Sequence, residues 1–185
     1  MIDDVLADAT RRMDKSIEAT RHEFGSVRTG RASAALLDRV QVAAYGARMP
    51  LNQLATIGVP DPRMLTVTPF DKGTMRDIER AIMESDLGLT PSNDGKLIRL
   101  PIPQLTEERR RDLVKQVRHI AEEGRVAIRN VRRDALHHLK DLERNGEAGA
   151  DEVHRAEDRL QKVTDEHVGR VDSALKAKEA EIMEV

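Results

Sequence analysis

Apolar residues recur every three or four positions along three stretches of the chain, and the stretch between the first two has no such period. Ile2, Val5, Leu6, Ala9, Met13, Ile17, Phe24 and Val27 share one face of a helix running from about Ile2 to Arg28, with Gly30 as its stop. Leu113, Val117, Ile120, Gly124, Ala127, Ile128, Val131, Ala135, Leu139 and Leu142 form the seam of a second helix. Thr106 stands where an N-cap belongs, with Glu107 and Glu108 in the first turn. Without a breaker this helix reaches Asn145-Gly146, some 40 residues and roughly 60 Å. Residues Gly146 to Gly149 predict the turn and Asp151 the next cap. Val153, Ala156, Leu160, Val163, Val171, Ala174 and Ile182 give the third seam.

All seven prolines lie between Pro50 and Pro103, so the middle of the chain is a different kind of structure. Val40-Gln41-Val42 and Met64-Leu65-Thr66-Val67-Thr68 have strand character, punctuated by Gly46, Gly58, Pro60, Pro62, Asn93-Asp94-Gly95 and Pro101. Thr74 is the expected cap of a short helix with Met75, Ile78 and Ile82 inward and Gly88 at its end. Three long amphipathic helices must bury their seams on one another, which predicts an elongated three-helix bundle from residues 1–30 and 106–185. Residues 31–105 are then an inserted compact domain of mixed α and β structure. The chain crosses between the two near Thr29-Gly30-Arg31 and Pro103-Gln104-Leu105. A double crossing permits hinge bending; it is equally compatible with a packed, rigid joint, and the pattern does not choose.

The second helix carries a further pattern. At about 100° per residue, Arg111, Arg118, Arg125, Arg129 and Arg132 fall within roughly 60° of one another, away from the seam, with Arg133 at the edge. Most acids of the helix (Asp112, Glu123, Asp134, Asp141) fall elsewhere, although Glu122 interrupts the stripe. A plain solvated face also carries many arginines, usually mixed with acids in i,i+4 pairs. Separated signs, and arginine in place of lysine, favour a phosphate-bearing partner, because the planar guanidinium makes bidentate contacts. Arg132 is expected to be exposed.

Charge and composition narrow the function. The 185 residues hold 31 Lys and Arg against 33 Asp and Glu, so any attraction to nucleic acid must come from local clustering and not from net charge. Tyr45, Phe24 and Phe70 are the only aromatics, which argues against a base-stacking surface and for phosphate and sugar contacts. There is no cysteine, hence no disulfide, thiolate metal site or cysteine nucleophile, in keeping with a reducing cytoplasm. The acidic start Met1-Ile2-Asp3-Asp4 lacks a secretory leader, and no apolar run is long enough to span a membrane. No GxxxxGK[ST], GxGxxG, GxSxG or HExxH motif occurs. All six histidines are expected at the surface or rim, and no metal or cofactor is expected. A binding or mechanical protein is favoured over an enzyme; a helical adaptor of chaperone-like character is the rival reading.

Four segments resemble signatures of bacterial ribosome recycling factors: Arg28-Thr29-Gly30-Arg31-Ala32-Ser33, Ser85-Asp86-Leu87-Gly88-Leu89, Leu105-Thr106-Glu107-Glu108-Arg109-Arg110, and Val126 to Ala135 around Arg129-Asn130-Val131-Arg132-Arg133-Asp134. The likeness extends over the whole chain in length and in the order of motifs. It implies an α+β, L-shaped, tRNA-mimicking fold in which a three-helix bundle is joined by a hinge to a small β/α/β domain. It implies a monomeric, cytoplasmic, non-enzymatic factor that binds the post-termination ribosome. With elongation factor G, and with GTP hydrolysed on that partner, such a factor splits the subunits. It implies that rRNA is held by Arg28 and Arg31 near the elbow and by Arg129, Arg132 and Arg133 on the second helix. The absence of an N-terminal extension points to a bacterial and not an organellar chain.

Overall fold

The computed structural model describes residues 1–184 and divides into two compact units, Met1–Thr29 with Glu107–Val185, and Gly30–Thr106. The first unit is built from helices α1 (Ile2–Ser26), α3 (Glu107–Arg144) and α4 (Ala150–Met183). Helix α2 and all the strands belong to the second unit.

The three helices close over a shared apolar interior. Met13 and Ile17 of α1, Leu113, Val117, Ile128 and Leu139 of α3, and Val153, Leu160 and Val171 of α4 are buried. Burial of such side chains contributes about 1.5–3 kcal/mol each, which is what holds long, highly charged helices together. The α3–α4 turn follows from the main chain. Gly146 adopts φ +70°, Glu147 N donates to Leu142 O at 2.8 Å, and Gly146 N donates to Glu143 O at 3.0 Å. These two bonds satisfy carbonyls that the helix end leaves open. Helix α4 then starts two residues earlier than its sequence suggests. Gly149 is the cap, its N–H donating to Glu152 Oε2 at 3.2 Å, while Asp151 sits in the first turn.

One position of the α4 seam is polar. The histidines were expected outside, yet His167 is only 4% exposed. Its Nδ1 lies 2.7 Å from Val163 O and its Nε2 2.9 Å from Asp14 Oδ1 of α1; Arg170 Nη1 donates to the same carboxylate oxygen at 3.1 Å. The spacing 160, 164, 167, 171 continues the seam, so Thr164 and His167 are core positions occupied by hydrogen-bonded side chains. Asp14→Ala is expected to destabilise the bundle by about 1–3 kcal/mol, because it strands a buried ring nitrogen. The His167 hydrogen bond holds the Asp14 carboxyl below its ordinary value of 3.8. The resulting stability is therefore present above pH 3.8 and lost as pH falls through the depressed folded value. Urea unfolding of the native chain and of Asp14→Asn at pH 7 and pH 3 checks this; the difference between them must shrink at the lower pH.

The second unit contains strands β1 (Gln41–Ala44), β2 (Ala47–Pro50), β3 (Ala55–Asp61), β4 (Met64–Pro69), β5 (Ser92–Asn93) and β6 (Ile98–Pro101), with helix α2 (Met75–Glu84) between β4 and β5. β1 and β2 pair as a hairpin; the other four form an antiparallel sheet in the order β3-β4-β6-β5. Val42, Leu51, Leu65, Val67, Ile78, Ile82, Ile98 and Leu100 are its fully buried interior. Six strands replace the two that the pattern shows plainly. β3 was hidden by Gly58 and Pro60, but it is an edge strand, where a proline costs no ladder bond. Gly58 is needed there, since a Cβ would lie 2.6 Å from Thr66 Oγ1 on β4.

Helix α2 begins directly after Thr74, as expected, but its capping and its end differ from expectation. Thr74 is itself helical, makes no side-chain cap, and donates through Oγ1 to Asp71 O at 2.7 Å. Asp71 is the residue that caps, accepting from Gly73 N at 2.9 Å at the start of a short 3₁₀ turn over Lys72–Thr74. The helix stops at Glu84, with Ser85 N bonded to Ile82 O, and Gly88 (φ +67°) lies in the loop beyond.

Candidate nucleic-acid interface

The arginine stripe of α3 lies along its border with α4, and the acids of α4 reach across to it. Arg118 Nε donates to Glu179 Oε1 at 2.6 Å, and Arg125 Nε to Asp172 Oδ1 at 2.7 Å. Arg125 Nη1 also reaches Glu122 Oε2 at 3.0 Å, and Arg111 Nη2 pairs with Glu107 Oε1 at 2.5 Å. Burial alone would lower the Arg125 pKa, but the hydrogen bonds it donates to Asp172 and Glu122 outweigh it and hold the value above the ordinary one. The expectation that this face keeps its signs apart is thus corrected for its N-terminal half. A wheel drawn on one helix omits the carboxylates of the next.

The C-terminal half differs. Arg129 is 54% exposed in its side chain and shares Glu122 with Arg125 through a 3.3 Å contact. Arg132 Nη1 donates to the neutral amide of Gln161 at 2.5 Å, and its Nε has no hydrogen-bond partner among the described residues. Arg132 is half-buried, not fully exposed as its wheel position suggests. Arg133 is exposed and makes no side-chain hydrogen bond or ion pair among the described residues. The neighbouring acid, Asp134, is engaged by Arg12 of α1 at 2.8 Å, which holds its carboxyl below the ordinary value. Positive charge is therefore concentrated at Arg129, Arg132 and Arg133, with one shared carboxylate among them. Such a cluster presents guanidinium donors to an anion such as phosphate.

Arg28 follows the end of α1 and is exposed, with no side-chain hydrogen bond or ion pair among the described residues. Arg31 is exposed and belongs to the second unit. Of the crossing residues, Thr29 donates through Oγ1 to Glu181 Oε1 of α4 at 2.9 Å. Gly30 has φ +77°, and a Cβ there would lie 2.9 Å from Leu105 Cγ, so the two crossings touch within the second unit. Pro103 and Gln104 are exposed, and residues 102–106 form no helix or strand. Among the described residues no group of three or more His, Cys, Asp or Glu is placed to hold a metal ion. Among the described residues no helix is long and apolar enough to cross a membrane.

Comparison with known proteins gives these features a family. A model of the ribosome recycling factor family matches residues 20–183. The ribosome-recycling factor of Rubrobacter xylanophilus is 60% identical over 180 residues, 97% of each chain, and that of Bacillus subtilis is 54% identical over the full length of both. A solution structure of the ribosome recycling factor aligns with a TM-score of 0.66 at 40% identity, over 100% of this chain and 98% of that one. A chain from models of the T. thermophilus ribosome recycling factor and the E. coli elongation factor G bound to the E. coli post-termination complex aligns with a TM-score of 0.61 at 48% identity, over 100% of both. These are non-enzymatic translation factors, in accord with a sequence that lacks the common catalytic motifs. With over half of its length matched by the family model and full-length relatives above 50% identity, the chain belongs to the ribosome recycling factor family.

Proposed function

We propose that this chain binds the post-termination ribosome in the cytoplasm, gripping large-subunit rRNA phosphates through Arg129, Arg132 and Arg133, with Arg28 and Arg31 as further contacts. The observation that carries this is the poorly compensated charge at Arg129–Arg133 on a stripe whose other arginines, Arg111, Arg118 and Arg125, are matched by carboxylates. The units 1–29 with 107–185 and 30–106 act as two bodies joined at Thr29, Gly30, Arg31, Pro103, Gln104 and Leu105. Elongation factor G, hydrolysing GTP, drives the inserted unit about these residues while the bundle stays fixed on rRNA, and the subunits separate. The adaptor reading is disfavoured because the apolar seams of α1, α3 and α4 are spent on one another, leaving, among the described residues, Met1, Val126 and Met183 as the large apolar side chains exposed on these three helices and their ends.

Co-sedimentation with vacant ribosomes tests this. Five phosphate contacts predict a loss of roughly a hundredfold in affinity between about 50 and 200 mM salt. Binding that ignores salt, or self-association in place of ribosome binding, would return the adaptor reading.

A further inference from the structure

Two of the three aromatic side chains are held in water. Tyr45 and Phe70 are each 69% exposed, whereas Phe24 is buried at 5%. Tyr45-Gly46 is the two-residue loop of the β1–β2 hairpin, closing the Ala44↔Ala47 pair, with φ +53° and +75°. That is the geometry of a type I′ turn, in which asparagine, aspartate or glycine normally fills the first position. A tyrosine there is conformationally strained, and strain of this kind collects where a side chain is presented for use. Its hydroxyl donates to Asp71 Oδ2 at 2.6 Å, which brings the ring to the segment carrying Phe70. Phe70 is fixed in turn by its N–H, which donates to Leu54 O at 3.0 Å.

We propose that Tyr45, Phe70 and the Asp71 carboxylate together form a docking point for an arginine- or lysine-bearing segment of a protein partner. Aromatic faces attract guanidinium and ammonium groups, and a carboxylate beside them adds an ion pair. The tyrosine hydroxyl bond, followed by that from Gly73 N, holds the Asp71 carboxyl below its ordinary value, so it is anionic at neutral pH. The same carboxylate opposes nucleic acid. Exposed aromatics that bind single strands sit in a cationic groove, whereas here Lys72 only balances Asp71. Residues 30–106 as a whole hold nine Lys and Arg against eight Asp and Glu. Protein interfaces, by contrast, are enriched in aromatics at their anchor points. The proposal concerns residues of the second unit alone and stands whether or not the α3 arginines bind rRNA.

With one tyrosine, two phenylalanines and no tryptophan, the ring signals of the full-length chain can be assigned one by one by NMR. The chain is titrated with tetra-arginine peptide, tetraglutamate peptide and hexauridylate. The expected result is a saturable shift of the Tyr45 and Phe70 ring signals with tetra-arginine, none with tetraglutamate, and an unmoved Phe24. Phe70→Ala abolishes the response at Tyr45, and Asp71→Asn weakens it about tenfold; unchanged methyl signals of the buried Leu65 and Val67 in each variant report that the second unit stays folded. No response to tetra-arginine, a response that survives Phe70→Ala, or a stronger one to hexauridylate overturns the proposal, the last in favour of an RNA surface.

Discussion

Replacing Arg129, Arg132 and Arg133 together by alanine is expected to weaken binding to vacant ribosomes by at least about a hundredfold while the bundle stays folded. Charge-assisted hydrogen bonds contribute about 1.5–3 kcal/mol each, so the loss of three exceeds the 2.7 kcal/mol or so of a hundredfold change even with strong non-additivity. The folded chain gives up little in return. Arg129 shares one exposed carboxylate, and such pairs contribute about 0–1 kcal/mol. Arg133 has no ion pair among the described residues to lose. Alanine is the strongest helix former, so α3 is not weakened, whereas glycine at Arg132 would add about 1 kcal/mol of helix cost to any binding effect. Arg132 does leave Gln161 without its donor, so Gln161→Ala serves as the control for that contact. A second control, Arg111→Ala with Arg118→Ala, removes as much charge per residue from arginines already matched by Glu107 and Glu179. The salt dependence of the triple variant should flatten by about two in the slope of log K against log salt. If the triple variant and the control pair weaken binding equally, the effect belongs to general charge and not to this cluster.

What the sequence discloses of this fold depends on the range of the interaction involved. The seams of α1, α3 and α4 are legible because each repeats locally over many turns, and Gly146 marks the end of α3 by a conformation that glycine adopts freely. β3 is not legible, because its glycine and proline are explained only by where the strand lies: Gly58 against Thr66 of β4, Pro60 on the open edge. His167 lay in plain view at a seam position. It reads as a surface residue until Asp14, 153 positions away in the chain, is brought to its ring.

The candidate site divides in the same way. The arginine stripe is a property of one helix and can be counted off a wheel. Its compensation is not, because Glu179 and Asp172 arrive from α4. Only the folded bundle separates Arg118 and Arg125, which are paired with acids of α4, from Arg129, Arg132 and Arg133. The Tyr45–Asp71 contact is likewise invisible locally. Composition made the aromatics too few for a stacking surface, and the fold then placed two of the three outside.

Gly124→Val is expected to destabilise the bundle by about 3 kcal/mol, and Gly124→Ala by about 1–2 kcal/mol. Gly124 is buried in the middle of α3, where a Cβ would fall inside contact distance of Thr20 Oγ1 on α1. Thr20 cannot swing aside easily. It is β-branched within a helix, and its hydroxyl donates to Ser16 O at 2.9 Å. Its Cγ2 and Cβ would stand at 3.3 and 3.4 Å, so another rotamer still meets the new methyl. The helices must then separate, and the buried neighbours Ile17 and Ile120 lose contact. Helix propensity works in the opposite direction by about 1 kcal/mol for alanine, and for that reason the alanine penalty is the smaller. Gly169 isolates that opposing term: it lies exposed within α4 with nothing within 4 Å of a built Cβ, so Gly169→Ala is expected to stabilise by about 0.5–1 kcal/mol. Thermal unfolding reads all three, with a fall of about 6–12 °C for Gly124→Val and a rise of a few degrees for Gly169→Ala. The decisive comparison is Gly124→Ala in a Thr20→Ala background. Removing the hydroxyl and methyl of Thr20 opens the space that the new methyl needs, so the penalty should disappear with a coupling of at least about 1 kcal/mol. A penalty that persists without Thr20 would place the cause in the backbone of α3 and not in the close approach of the two helices.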